Sequence, residues 1–203
     1  TAFAISSNGY FITNHHVIDG CQTIKIHNKD KIIPVTIIKF DHGNDVALLK
    51  GNFISKGILP FSNKETELLQ DIYVAGYPFG NKISSSVKVT KGIISALTGV
   101  GNNFSNFQFD AALQPGNSGG PILNNKGNVI GIAVAKLGIK YIQNNFGVVP
   151  ENTNFGIKIS IVKSIIDSAN IVLPIPNEKE ISKTKLGKNI SDSTYYLSCW
   201  NRK

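Results

Sequence analysis

The chain contains no methionine, one tryptophan and a single arginine, Arg202. A lack of methionine is what a fragment or a processed form is expected to show. No stretch approaches the ~20 apolar residues of a membrane-spanning helix. No basic segment followed by an apolar run opens the chain, so no signal peptide is visible. Cysteine is scarce. Cys21 and Cys199 could pair, but two distant thiols make neither a disulfide framework nor a metal-ligand spacing, and the redox compartment stays open. Acidic residues number 13 against 21 basic ones, giving a net charge of +8 carried almost wholly by lysine. That balance suits nucleic acid or an anionic surface. Here the lysines are scattered and no aromatic-interleaved basic motif occurs, which points to a solvated surface and away from nucleic acid. Only 17% of residues are charged while 41% are hydrophobic, the profile of a globular chain.

Regular alternation of strands and long helical patterns is also missing, which disfavours a doubly wound α/β fold. Short β-rich runs dominate instead: "AFAI" (2–5), "YFIT" (10–13), "TIKIH" (23–27), "PVTIIKF" (34–40) and "DVALLK" (45–50). After them come "DIYVAGY" (71–77), "SSVKVTKGIIS" (85–95), "FQFDAAL" (107–113), "VIGIAVA" (129–135) and "FGIKI" (155–159). Gly, Asn, Asp or Pro clusters separate most of them, as in antiparallel barrels or sandwiches. One helix is well marked, with Ile161, Val162, Ile165, Ile166 and Ala169 at helical spacing and Ser160 placed to cap it. Residues 173–189 lose periodicity and gain proline and charge. The segment 171–203 therefore reads as a linker or arm, with "YYLSCW" (195–200) the start of a truncated further element.

The stretch with the sharpest chemical content is "QPGNSGGPILN" (114–124). Its glycines let the chain turn tightly around Ser118, but glycines serve plain hairpins as readily as nucleophile turns. The order of partners along the chain decides between readings. Gly116–Gly120 fits the G-x-S-x-G elbow of α/β-hydrolases, which needs a histidine after the serine. All four histidines, His15, His16, His27 and His42, precede Ser118, so that reading fails. The subtilisin order, Asp before His before Ser, could be met by Asp19 or Asp41 with His42, but the β-rich pattern opposes that fold. His before Asp before Ser remains, the order of the chymotrypsin-type double barrel.

At these residues the chain resembles a known family. "GYFITNHHVIDG" (9–20) is similar to the base-histidine segment of Deg/HtrA-type trypsin-like serine proteases, and "GNDVALLK" (43–50) to their aspartate segment. "FDAALQPGNSGGPILNNKGNVIGI" (109–132) resembles their nucleophile block, and "YPFG" (77–80) and "VTKGIISAL" (89–97) match as well. The resemblance spans residues 1–170. Too few residues follow to build the family's PDZ module. It implies an all-β fold of two six-stranded antiparallel barrels with a C-terminal helix, and a serine endopeptidase of the EC 3.4.21 type.

The resemblance makes His16 the general base, Asp45 its orienting acid and Ser118 the nucleophile of an acyl-enzyme mechanism. His15, in the family's variable position, and Asp41, a turn aspartate beside Gly43, are the competitors for the first two roles; His27 and His42 read as surface residues. The loop Gly116–Asn117–Ser118 forms the oxyanion hole, with the Gly116 and Ser118 N–H groups as donors. Asn117 stands where activated digestive trypsins carry an aspartate that pairs with a new N-terminus, so this domain is not expected to depend on N-terminal insertion. Ala112, six residues before the serine, is the base of the P1 pocket, and Ala133, Val134 and Ala135 form its wall; the run "IAVAKLG" (132–138) is the strand offered to substrate. Cleavage after small or aliphatic residues of unfolded proteins follows, with no cofactor or metal. Peptide or protein substrates are the implied partners, homo-oligomerisation is left open, and the family suggests the periplasm or the cell exterior. The rivals are a catalytically silent trypsin fold serving as a binding scaffold and a lysine-rich binder of anionic surfaces.

Overall fold

The computed structural model describes residues 1–203 except 29–30, 81–84, 136–142, 146, 148–151 and 202–203. The short apolar runs become strands. β1 (Ala2–Ala4), β2 (Tyr10–Thr13), β3 (Thr23–Asn28), β4 (Lys31–Asp41) and β5 (Val46–Gly51) belong to one closed barrel. β6 (Asp71–Gly76), β7 (Lys88–Ala96), β8 (Asn106–Phe109), β9 (Pro121–Leu123), β10 (Val129–Val134) and β11 (Asn154–Lys158) make a second. Closure leaves neither sheet a free edge. Among the described residues β11 is followed by the helices α2 (Ile159–Asp167) and α3 (Lys183–Ser193), and a single-turn α1 (His15–Ile18) connects β2 to β3.

Alternation within the strands sends one set of side chains into each barrel. Phe11, Ile26, Leu49 and Ala47 are fully buried in the first; Phe107, Phe109, Ile72 and Ile122 fill the second. A third cluster, with Phe3, Phe61, Leu48, Val129 and Val162, joins the barrels to α2. Burying each such large side chain contributes about 1.5–3 kcal/mol. α2 turns Ile159, Val162, Ile165 and Ile166 inward, as its spacing predicts. Ser160 does not cap it: β11 runs straight into the helix, the cap position is Lys158, and Ser160 lies inside the first turn. The serine that does cap a helix is Ser182, whose side chain accepts the Lys185 N–H at 3.2 Å before α3.

The structure departs furthest from the sequence reading after residue 170. The segment expected to be an arm leading to a truncated element instead returns to the body of the molecule. Residues Thr194–Trp200 form β12, which inserts between β1 and β3 and closes the first barrel as its sixth strand. Tyr195 pairs with Ala2, and Leu197 with Ile26. Tyr195 and Leu197 pack into the core of the first barrel, while the half-buried Tyr196 lies against His27 and Tyr77. The connection is fastened on the way. Asn128 Nδ2 donates to Asn177 O at 2.9 Å, and Asn177 N–H returns a bond to Asn128 Oδ1 at 2.8 Å. Cys199 in β12 forms a disulfide with Cys21 across a sequence separation of 178, the Cα atoms 5.3 Å apart. Among the described residues no helix is long and apolar enough to cross a membrane.

Candidate active site

His16 begins as a backbone problem. The chain leaves β2 at Thr13, makes the short turn α1 and must present one imidazole toward the other barrel. Asp45 supplies the hold. Its carboxylate Oδ1 accepts the His16 backbone N–H at 2.8 Å, and its Oδ2 meets His16 Nδ1 at 2.7 Å. Its carbonyl accepts the His15 N–H at 3.2 Å and Asn14 Nδ2 at 3.0 Å. To offer both ends to the same segment Asp45 adopts a left-handed φ of 57°, a conformation that aspartate tolerates better than most residues. Because Oδ2 accepts from Nδ1, the proton sits there in neutral imidazole and Nε2 is left as the acceptor.

The two competitors are otherwise engaged. His15 stacks on Phe40 with ring centroids 4.7 Å apart and meets His42 at 5.2 Å. Asp41 is a turn residue: its oxygens accept the Asn44 N–H at 3.0 Å and Asn44 Nδ2 at 2.7 Å, and the Asn44 side chain holds its carboxyl below the ordinary carboxylate value. His42 is exposed, as expected. His27, expected at the surface, is half-buried, with Nε2 2.7 Å from Ser198 Oγ and its ring 4.8 Å from that of Tyr196. Burial, with Lys25 nearby, lowers its pKa.

Ser118 sits on the other barrel, in the turn between β8 and β9. The turn is laid against the histidine segment: Gly119 has a φ of 83°, and a Cβ there would fall 2.2 Å from Thr13 Oγ1 and 3.0 Å from Asn14 N. Only glycine admits that approach. Ser118 Oγ accepts the Ala135 N–H at 3.1 Å, and no hydrogen bond joins it to His16 among the described residues. The structure thus brings His16 and Asp45 into direct contact, with Ser118 on the facing turn.

The loop expected to form the oxyanion hole divides its amides. Asn117 N–H bonds Gln114 O at 3.0 Å and closes the turn. The amides of Gly116 and Ser118 make no hydrogen bond among the described residues, which leaves the two predicted donors available. The Pro115 carbonyl is turned away from them and accepts the Phe79 N–H at 2.8 Å. Gly116 has a φ of 104°, and a Cβ would lie 2.4 Å from Tyr77 O. Thr1 Oγ1 donates to Gly116 O at 2.5 Å and accepts the Tyr77 N–H at 3.0 Å. The side chain of Asn117 is buried against Gly76. Thr1, Asn14 and Phe79 were not singled out by sequence reasoning. Asn14 and Phe79 lie inside quoted motifs, and their place beside the functional residues was the available signal.

Beside His16 a cleft of about 380 Å³ opens between the barrels, lined by Asn44 and Asp45 on one side and Asn103, Asn106 and Val134 on the other. Of the expected substrate-pocket residues, Val134 lines this cleft and Ala135 is half-buried beside Ser118, but Ala133 is not a pocket wall: it is fully buried in the core of the second barrel with Phe107 and Ile122, the neighbour of Val134 on the opposite face of β10. Ala112 is exposed, its carbonyl accepting Thr90 Oγ1 at 2.9 Å. Lys136, Leu137 and Gly138 of the expected substrate strand lie outside the described residues.

Known proteins resemble this chain in sequence and fold. Residues 1–132 match the trypsin-like peptidase domain family. A Staphylococcus haemolyticus protein named serine protease HtrA-like is 30% identical over 95% of this chain and 30% of its own length. A Chlamydia pneumoniae protein named probable periplasmic serine endoprotease DegP-like is 39% identical over 66% of this chain and 28% of its own. The crystal structure of a serine endoprotease from Yersinia pestis superposes with a TM-score of 0.67 at 27% identity, covering 82% of this chain and 56% of that one. The chain spans about a third of the length of the sequence relatives it matches. Double barrel, motif order and these matches together place the chain in the trypsin-like peptidase family, as a Deg/HtrA-like protease domain.

Proposed function

We propose that this domain is a serine endopeptidase in which His16 Nε2 takes the proton of Ser118 Oγ as that oxygen attacks a peptide carbonyl. The observation that carries the reading is the two-point hold of Asp45 on His16, which fixes the ring's orientation and its tautomer together. The tetrahedral oxyanion is stabilised by the Gly116 and Ser118 N–H groups, and His16 then returns its proton to the leaving amine. Water, activated by the same imidazole, releases the acyl group from Ser118. Ser118 Oγ must rotate from the Ala135 N–H to the imidazole for the first step.

The substrate is an extended, unfolded segment lying as an added strand beside the end of β10, with a small or aliphatic residue entering an uncharged pocket beside Val134 and Ala135. We place the protein in the periplasm or outside the cell. The Cys21–Cys199 disulfide favours an oxidising compartment, and the named Chlamydia relative is described as periplasmic. The test is labelling by a fluorophosphonate probe together with digestion of casein. The domain should label and digest, and Ser118→Ala should do neither. Digestion retained by Ser118→Ala, or no labelling of the folded domain, would overturn the assignment.

A further inference from the structure

β12 lies at the seam between the barrels. Its inward face, Tyr195 and Leu197, completes the core of the first barrel. Its outward face meets the second barrel beside β6. There the ring of Tyr196 comes within 6.1 Å of that of Tyr77, and a Cβ on Gly80 would lie 3.1 Å from the Tyr196 ring. Gly80 has a φ of 61°. Tyr77 is also tied to β12 by its hydroxyl, which donates to Thr194 O at 3.2 Å. The segment Tyr77–Gly80, which β12 holds from behind, is the one that holds the oxyanion loop in front. Phe79 N–H fixes the Pro115 carbonyl, and the Tyr77 carbonyl abuts Gly116.

We infer that Tyr196 is a positioning residue for the oxyanion hole, acting through Tyr77, Phe79 and Gly80, so that the C-terminal strand is part of the catalytic apparatus. The inference rests on the proposed endopeptidase reading. If the Pro115–Gly116 peptide rotates, the Gly116 N–H leaves the hole and a carbonyl oxygen enters it. The Phe79 N–H opposes that rotation by holding the carbonyl outside. Without the Tyr196 ring behind Gly80, the Tyr77–Gly80 segment loses its backing and the Phe79 anchor can retreat. Neither Tyr196 nor Tyr77 touches the reacting atoms. Their removal should therefore lower kcat and the rate of fluorophosphonate labelling while leaving KM near its original value.

The decisive measurement compares the wild type with Tyr196→Ala, Tyr196→Phe and Tyr77→Phe well below their melting temperatures, with the folded fraction fixed by circular dichroism. Tyr196→Ala should label and turn over on the order of tenfold to a hundredfold more slowly, the scale of a small misplacement of a catalytic group. Tyr196→Phe keeps the ring against Gly80 and should restore most of the rate. A residue that serves only to pack would lower the melting temperature and leave the labelling rate of the folded protein unchanged, and that result overturns the inference. Should Tyr196→Ala fail to fold, Tyr77→Phe decides. It keeps the ring and removes only the bond to Thr194; slower labelling supports the relay and an unchanged rate overturns it. Absence of labelling in the wild type itself would instead overturn the endopeptidase reading.

Discussion

Asp45 grips His16 twice, by the backbone N–H at 2.8 Å and by the ring Nδ1 at 2.7 Å. The double contact makes the effect of Asp45→Asn specific. If the asparagine oxygen keeps the backbone bond, its amide nitrogen faces Nδ1 and must donate. Nδ1 then becomes the acceptor and Nε2 carries the proton, so the base can no longer take the serine's. The same exchange in a chymotrypsin-type triad lowers kcat by about 10⁴-fold. That loss is expected here with a native circular dichroism spectrum. His15→Ala removes a stack on Phe40 and should leave kcat near the wild-type value. Equal damage from His15→Ala and His16→Ala, both folded, would contradict the assignment.

The disulfide is the second point of test. Cys21 lies just beyond α1 and Cys199 in the strand that closes the barrel around it, so the bond closes a loop of most of the chain. Restricting an unfolded chain by so long a loop is worth about 2–5 kcal/mol. The double variant Cys21→Ser, Cys199→Ser should lower the stability measured by urea unfolding by that amount, and dithiothreitol should do the same to the wild type. Unchanged stability in both would mean that β12 holds its place without the covalent tie.

How much of this was open to a reader of the sequence differs from residue to residue. Tyr10–Thr13 and Asp71–Gly76 were legible because β-branched and aromatic runs between turn residues have few alternatives. The pairing of His16 with Asp45 was implied by the family resemblance, since chain order alone left His15 and Asp41 as competitors. The fate of Thr194–Trp200 was hidden, because a strand that pairs with β1, almost the whole chain away, leaves no local signature of its partner. Ser160 misled for a related reason: a good cap residue is only a cap where the chain changes direction, and β11 enters α2 without a turn. The hold of Phe79 on Pro115 uses a backbone N–H, which no side chain announces.

His27 supplies a pH dependence of stability. Burial lowers its pKa from the ordinary 6.5. Between the lowered folded value and 6.5 the unfolded chain binds more protons than the folded one, so stability rises with pH across that interval and falls as pH drops. Its bond to Ser198, 2.7 Å long, faces the same strand that carries Tyr196 and Cys199. The melting temperature should decline from pH 7.5 to 5.5, and less so in His27→Gln, which can still bond Ser198 but does not titrate. Parallel declines in the two proteins would show that other groups are responsible.

Cleavage preference is the last prediction. The end of β10, next to the Ser118 turn, is uncharged: Ala133 lies in the core of the second barrel and Val134 lines the cleft beside His16. Ala112, at the position expected to floor the pocket, is small, neutral and exposed. None of these can offer a counter-charge. A lysine or arginine entering would leave its cation unpaired at a partly desolvated site, at a cost of several kcal/mol. An aliphatic side chain loses no polar partner, and each buried methylene contributes about 0.8 kcal/mol. Cuts after Val, Ile, Leu and Ala should therefore dominate. Discrimination among them should be loose, because one methylene in an apolar pocket is worth only about 1–3 kcal/mol. Digesting reduced, denatured casein and reading the new termini by mass spectrometry tests this directly. A majority of cuts after Lys or Arg would require an acidic group facing the pocket and would overturn the apolar reading.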